Sequence, residues 1–281
     1  MNTKKHDKFG LTDEQLRQIY ELEKSLAAKL RLANKEERRK LYSPLYEEYF
    51  SAISFHPQLL MKDDIQKLNL KIGFQLIIIK KFLHNTDVFL EIGAGDGHLC
   101  YEVSKIAKLV YAYEVSNTIS NGLIIPDNYK LIISDGFSFP INNNSVDIVY
   151  SNSLIEHLHE DDAFDQLNNI FKVLKKGGRY ICVTPNRYTG PHDISRFFEE
   201  HYSCFHLKEY SCVELRKLFL DSCFSKGDFY IFIKGKYYKT PFFIMRCLDY
   251  LLKNLNEKNK QKLINSKIGK ILLDYVFVGI K

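Results

Sequence analysis

The sequence predicts an α/β protein: a doubly wound, mostly parallel sheet covered by helices on both faces. Three observations predict it. Short apolar runs alternate with amphipathic stretches from about residue 71 to 235. The first of those runs leads straight into a glycine-rich turn, "VFLEIGAGDGHLC", Val88 to Cys100. Apolar residues make up 45% of the 281, enough to cover a sheet on both sides. Parallel strands need a crossover between them, and a helix is the usual one.

The elements follow in order. Residues 1–70 read as an N-terminal helical extension. In "LTDEQ", Thr12 is an N-cap and Gln15 completes a capping box. Leu16, Ile19, Leu22 or Glu23, Leu26 and Leu30 then recur at helical spacing. The segment "KLYSPLYEEYFSAISFHPQLL" carries Tyr42, Tyr46, Tyr49, Phe50 and Phe55. It reads either as a helix packed on a core or as a lid whose rings face a ligand.

Residues 71–281 read as the main domain. Its strands are "VFLEI", "LVYAYEV", "YKLIISD", "SVDIVYSN", "GRYICVTPN", "DFYIFIKG" and the terminal "DYVFVGIK". Its helices are "GHLCYEVSKIA", "DDAFDQLNNIFKVLKKGG" with a Gly-Gly stop, and "CVELRKLFLDSC". A long helical stretch, "PFFIMRCLDYLLKNLNEKNKQKLINSK", forms a helical insertion at about 240–270, before the last strand.

Bulk properties narrow the function. The net charge of +6 is mild, and both signs are interleaved. This reads as a solvated surface, so no nucleic acid is expected as partner. None of the six cysteines forms a CxxC pair. Cys204, His206 and Cys212 fit no common zinc spacing, so no metal is expected. Reduced thiols suit a cytoplasmic protein. "MNTKKHDKFG" is followed by no apolar h-region, and no apolar run approaches a membrane span.

The glycine turn carries the chemistry. A dinucleotide turn reads G-x-G-x-x-G, but Gly93, Gly95 and Gly97 alternate, and His98 fills the slot of its third glycine. No Gly-Lys-Ser/Thr follows, which excludes a P-loop. Glu91 precedes the glycines and Asp96 lies among them, and acids there repel a pyrophosphate. They suit a ligand with a positive charge and an amino group. Glu114 closes the second strand, 21 residues after Gly93, where an acid can accept from both ribose hydroxyls. Asp135 and Gly136 close the third strand, where a carboxylate can accept from an adenine amino group. Either acid alone also reads as a solvated strand end or a plain turn.

In this order, "FLEIGAGDGHLC", "VYAYEVS", "SDGFSFP", "SVDIVYSNSLIEHL" and "VLKKGGRYICVTPN" resemble the class I methyltransferases that use S-adenosyl-L-methionine. The resemblance covers about residues 85–235. It implies the Rossmann-like methyltransferase fold: a seven-stranded sheet with "DYVFVGIK" antiparallel beside "DFYIFIKG", and the insertion capping the site. It implies that Gly93 and Gly95 let the backbone approach the methionine part and that Glu91 holds its amino group. Glu114 would take the ribose, Asp135 and Gly136 the adenine, and Ser151 and Asn152 would border the methionine end. Many members have Asp where Glu91 and Glu114 stand, so each glutamate here reaches about one methylene further. The stretch from "TPNRYTGPHDIS" to "ELRKLF" resembles bacterial small-molecule methyltransferases.

The implied activity is methyl transfer to a small-molecule or glycan-type acceptor, on oxygen or nitrogen. The alternatives are a cofactor-binding protein without activity and an NAD-dependent oxidoreductase. "YSNSLIEHL" lacks the Pro-Pro-Tyr type of signature that nucleic-acid enzymes often show. A hydroxyl or amine acceptor must lose a proton, and histidine suits that task. His192 in "PHDIS" ranks first, because it follows the fifth strand; His157 and His159 in "IEHLHE" come next. Arg196 could meet an anionic acceptor group.

Overall fold

The computed structural model describes residues 10–55, 65–115 and 125–281. Four apolar runs become the parallel centre of a sheet: β1 (Val88–Ile92), β2 (Leu109–Glu114), β3 (Tyr129–Ile133) and β4 (Val146–Asn152). They are joined by β5 (Leu174–Val183), β6 (Lys226–Ile233), β7 (Lys236–Thr240) and β8 (Tyr275–Ile280). The order is β3-β2-β1-β4-β5-β8-β6-β7. Pairing is parallel from β3 to β5, and β8 then runs antiparallel between β5 and β6. The chain order reverses beside β1, so the carboxyl ends of β1 and β4 flank the switch point where such sheets bind ligands.

The sheet has eight strands among the described residues, one more than the seven expected. The extra strand, β7, forms a hairpin with β6 through Lys234 and Gly235, at φ 48° and 83°. Both central residues in the left-handed region make the turn that matches strand twist. β7 is a mostly exposed edge strand, so it lacks the apolar run that marks its neighbours.

Helices α1 (Asp13–Leu32), α2 (Lys35–Ala52) and α3 (Ile65–Lys80) precede the sheet. The Thr12–Gln15 capping box opens α1, and Asn34 with Glu37 opens α2 in the same way. The expected boundary at residue 70 falls inside α3. Ile19, Leu26, Tyr42 and Tyr49 of the first two helices share one apolar cluster with Leu90 and Ile92 of β1. The extension is therefore built into the core of the sheet domain. Arg38 pairs with Asp162, both buried, and ties α2 to α5 (Glu160–Val173). The Arg31 guanidinium donates to the carbonyls of Ser203, Cys204 and His206 and ties α1 to the loop after β5.

Two expected helices change shape. α5 stops at Val173, and β5 begins at once with Leu174. Gly177 and Gly178 lie inside β5 at a register shift against β4, with Gly177 at φ 78°; they form a bulge rather than a helix stop. The long helical stretch splits into α7 (Phe242–Asn254), α8 (Glu257–Asn265) and α9 (Lys267–Leu273). Asn256 and Ser266 cap α8 and α9 from within it. The two shorter helices, α4 (His98–Ser104) and α6 (Cys212–Asp221), lie where expected. No helix of the described residues is long and apolar enough to cross a membrane.

Candidate active site

The glycine turn explains its own spacing. Gly93, Gly95 and Gly97 have φ of 73°, 55° and 75°, a region that side chains rarely occupy. Every second residue is left-handed, so every second residue is glycine. The Gly93 and Ala94 amides donate to the Tyr113 carbonyl and pin the turn to β2. A Cβ at Gly95 would project into open space, so the backbone there is bare to the cavity.

That cavity is about 370 Å³. Its floor is this turn with Glu91, Asp96, Glu114, Asp135, Gly136 and Asn152. The Glu114 carboxylate accepts from the Gly95 amide at 2.7 Å and the Val115 amide at 2.8 Å, which locks the acid against the turn. Asp135 accepts from the Phe137 and Ser138 amides at 2.8 and 2.7 Å, and these bonds hold its carboxyl below the ordinary value despite burial. Gly136, at φ 82°, offers its carbonyl to Gln166. Burial pushes the Glu91 carboxyl up to about 8; the Cys100 thiol donates to it at 3.0 Å, Asp96 and Glu114 raise it further, and Lys71 of α3 lowers it.

The fit to a sulfonium amino acid cofactor rests on this chemistry. Buried acids at the floor want a positive partner, and an ammonium and a sulfonium supply two. Lys71 beside Glu91 offers a cation for a carboxylate.

The opposite wall is aromatic. Tyr42, Tyr46, Tyr49 and Phe50 of α2 line the cavity together with Phe205, from the loop after β5. Tyr46 stacks on Phe205 with centroids 4.8 Å apart, and Tyr49 meets Phe205 edge-on at 5.1 Å. Phe55 packs on the core and is not among the lining residues. Tyr46 Oη lies 2.9 Å from His157 Nδ1. Burial, with the charge of His206 nearby, lowers His157 to about 3, so its ring is neutral at pH 7. Glu23 of α1 reaches the same wall, where the Tyr49 hydroxyl donates to it. Burial raises Glu23 to about 7.

Three expected site residues stand elsewhere. Ser151 is fully buried, bonds Tyr180 Oη at 2.7 Å and does not line the cavity; alternation along β4 gives Asn152 to the site and Ser151 to the core. His192 is bonded to Thr189 Oγ1 and the Asn186 carbonyl, and its amide donates to Glu209. The bridge between Asn186 and Tyr210 folds this loop back, so Phe205 reaches the cavity and His192 does not. His159 is the N-cap of α5. The insertion packs on α6 and β6 and sends no residue to the lining, contrary to the capping place expected of it. Cys204, His206 and Cys212 turn to separate partners, Tyr20, Glu209 and Met245. Glu156, His157 and His206 do bring one ligand atom each within 4.8 Å of one another.

Lys71 and Gln166 belong to no motif in the sequence, and Glu23 enters there only as a position of the α1 stripe. Glu23 had a signal: an acid where the apolar stripe of α1 should continue.

Comparison with known proteins agrees with this geometry. The family model described as "Methyltransferase domain" matches residues 90–182. Phosphoethanolamine N-methyltransferase 1 of Triticum aestivum is 33% identical over 135 residues, covering 41% of this chain and 27% of its own length. A "Probable S-adenosylmethionine-dependent methyltransferase" of Mycolicibacterium smegmatis is 26% identical over 140 residues, covering 50% and 52%. The chain thus spans about a quarter to a half of these curated relatives. Among solved structures, Haemonchus contortus phosphoethanolamine N-methyltransferase 1 has a TM-score of 0.54 at 15% identity, covering 87% of this chain and 49% of that one. An SAM-dependent methyltransferase of Archaeoglobus fulgidus has a TM-score of 0.50 at 15% identity, covering 75% and 93%. Residues 90–182 thus carry a methyltransferase domain, within a fold shared with S-adenosyl-L-methionine-dependent methyltransferases.

Proposed function

We propose that the protein transfers a methyl group from S-adenosyl-L-methionine to a small-molecule or glycan-type acceptor that enters at the aromatic wall. One observation carries this reading: a single cavity joins the acid and glycine floor to a wall of rings that holds a phenol–imidazole pair. The cofactor, when bound, supplies an activated methyl group on a sulfonium.

The chain's own residues do the rest. Glu91 meets the cofactor's amino group and Lys71 its carboxylate. Glu114 takes the ribose hydroxyls, with its geometry set by the Gly95 and Val115 amides. Asp135, Gly136 and Gln166 border the adenine end. Tyr42, Tyr46 and Phe205 exclude water from the reacting centre and offer ring faces to a sulfonium. Asn152, in the same lining, would border the methionine end. His157, neutral at pH 7, is hydrogen-bonded through Nδ1 to the Tyr46 hydroxyl and so fixes the phenol at the cavity wall. A group held near 3 is a poor base for a proton from an amine or alcohol, so His157 positions rather than deprotonates.

The relatives' names bring phosphoethanolamine forward as an acceptor. Among the described lining residues, however, the only lysine or arginine is Lys71, and it stands by Glu91 at the cofactor end. Calorimetric titration with S-adenosylhomocysteine tests the cofactor half. A screen of alcohols and amines for S-adenosylhomocysteine release tests the other. No release with any acceptor, despite tight cofactor binding, would leave the non-enzymatic alternative standing.

A further inference from the structure

The aromatic wall contains one acid, and its surroundings are unusual. Glu23 sits on α1, on the same stripe as Ile19 and Leu26, and is only 8% exposed. Apolar neighbours would be the ordinary occupants there. The residue instead keeps a carboxyl at the cavity surface, bonded to the Tyr49 hydroxyl and beside the Phe205 amide. The charged groups that act on it are Asp193, which opposes its ionisation, and His206, which favours it. No lysine or arginine is among its partners in the described residues. A buried carboxyl is costly without a cation of its own, and the nearby His206 is already paired with Glu209. Its counter-charge can come from the ligand.

The rings around it suit that ligand. Tyr46, Tyr49, Phe50 and Phe205 pack on one another with centroids 4.8 to 6.3 Å apart, and all four line the cavity beside Glu23. Ring faces and a carboxylate together attract an ammonium. They repel a phosphate. We propose that the methyl acceptor is an unphosphorylated amine, which enters as an ammonium and is received by Glu23 inside this four-ring wall. The proposal rests on the reading of the cavity as a methyl-transfer site, and it parts from the phosphorylated acceptor that the relatives' names suggest.

The chemistry balances. The ammonium nitrogen gives one proton to the Glu23 carboxylate and exposes its lone pair. An N–CH3 bond then forms as the S–CH3 bond breaks, and that bond's electron pair stays on sulfur, which becomes a neutral thioether. The raised value of Glu23, about 7, suits this transfer far better than the lowered one of His157. A secondary amine product keeps a site for the same acid and rings.

The test uses three probes on wild-type protein saturated with S-adenosylhomocysteine: choline, its uncharged isostere 3,3-dimethyl-1-butanol, and phosphocholine. Isothermal titration should show choline binding, the isostere binding at least about tenfold more weakly, and phosphocholine more weakly than choline. Glu23→Gln should weaken choline about thirtyfold or more. Its S-adenosylhomocysteine affinity should stay within about twofold, which also shows that it folds. Phe205→Leu, a second variant, should weaken choline several-fold. No choline binding, equal binding of the isostere, tighter binding of phosphocholine, or an unchanged Glu23→Gln would each overturn the proposal. Absence of S-adenosylhomocysteine binding would instead sink the methyl-transfer reading on which it rests.

Discussion

Tyr46 Oη lies 2.9 Å from His157 Nδ1, across a gap of 111 residues in the chain. This contact joins the N-terminal extension to the turn after β4 at the cavity wall. Tyr46→Phe removes the hydroxyl and keeps the ring. Methyl transfer to whichever acceptor a screen returns should fall about tenfold to a hundredfold in kcat. S-adenosylhomocysteine affinity should barely change. Equal kcat in the variant would separate this pair from the reaction.

Glu114 accepts from two backbone amides, one of them in the glycine turn. Glu114→Ala therefore loosens the turn and removes the acid proposed for the ribose. S-adenosylhomocysteine binding should weaken about tenfold to a hundredfold. Calorimetry reads this directly, and retained affinity would refute the ribose role.

His192 lies outside the lining, with its ring satisfied by Thr189 and Asn186. His192→Asn should leave kcat within about threefold. A collapse of turnover with intact cofactor binding would return this residue to the chemistry.

Stability should depend on pH with a definite sign. Glu23 and Glu91 have folded values raised to about 7 and about 8. Between the unfolded carboxyl value and these, the folded state holds more protons, so stability falls as pH rises. The effect is complete below the unfolded value and lost by about pH 8. His206, raised by Glu209 and Glu156 against its burial, adds the same sign near neutrality. His157, lowered, acts with opposite sign but only below its unfolded value of 6.5. The ligand-free melting temperature should therefore drop from pH 7 to pH 8.5. Glu91→Gln should flatten that slope, and an unchanged slope would contradict the assigned shift.

Arg38 and Asp162 form a buried pair between α2 and α5, and the Tyr42 hydroxyl also donates to Asp162. Arg38→Ala strands the acid and should cost about 3–5 kcal/mol in denaturant unfolding. A loss under about 1 kcal/mol would mean that α2 is held by its apolar face alone.

The parallel core was legible because β1, β2 and β4 are apolar runs bounded by turn residues. The acid and glycine floor of the cavity was legible because strand ends and left-handed glycines leave local marks. The rest depends on distance in the chain. β7 is an exposed edge with no apolar pattern to read. Gly177 and Gly178 look like a helix stop and become a bulge only against β4. Ser151 and Asn152 are adjacent, and the pleat alone separates their fates. His192 looked well placed because it follows β5; the Asn186–Tyr210 bridge turns it away. Glu23, Tyr49 and Phe205 meet from three distant segments, so no local pattern names them as one site.

The central claim is that the acid and glycine floor binds a sulfonium amino acid cofactor. Isothermal titration of the purified protein with S-adenosylhomocysteine and, separately, with NADH tests it most directly. One S-adenosylhomocysteine site per chain and no heat from NADH are expected. No binding of S-adenosylhomocysteine at millimolar concentration, or saturable binding of NADH at the same site, would contradict it.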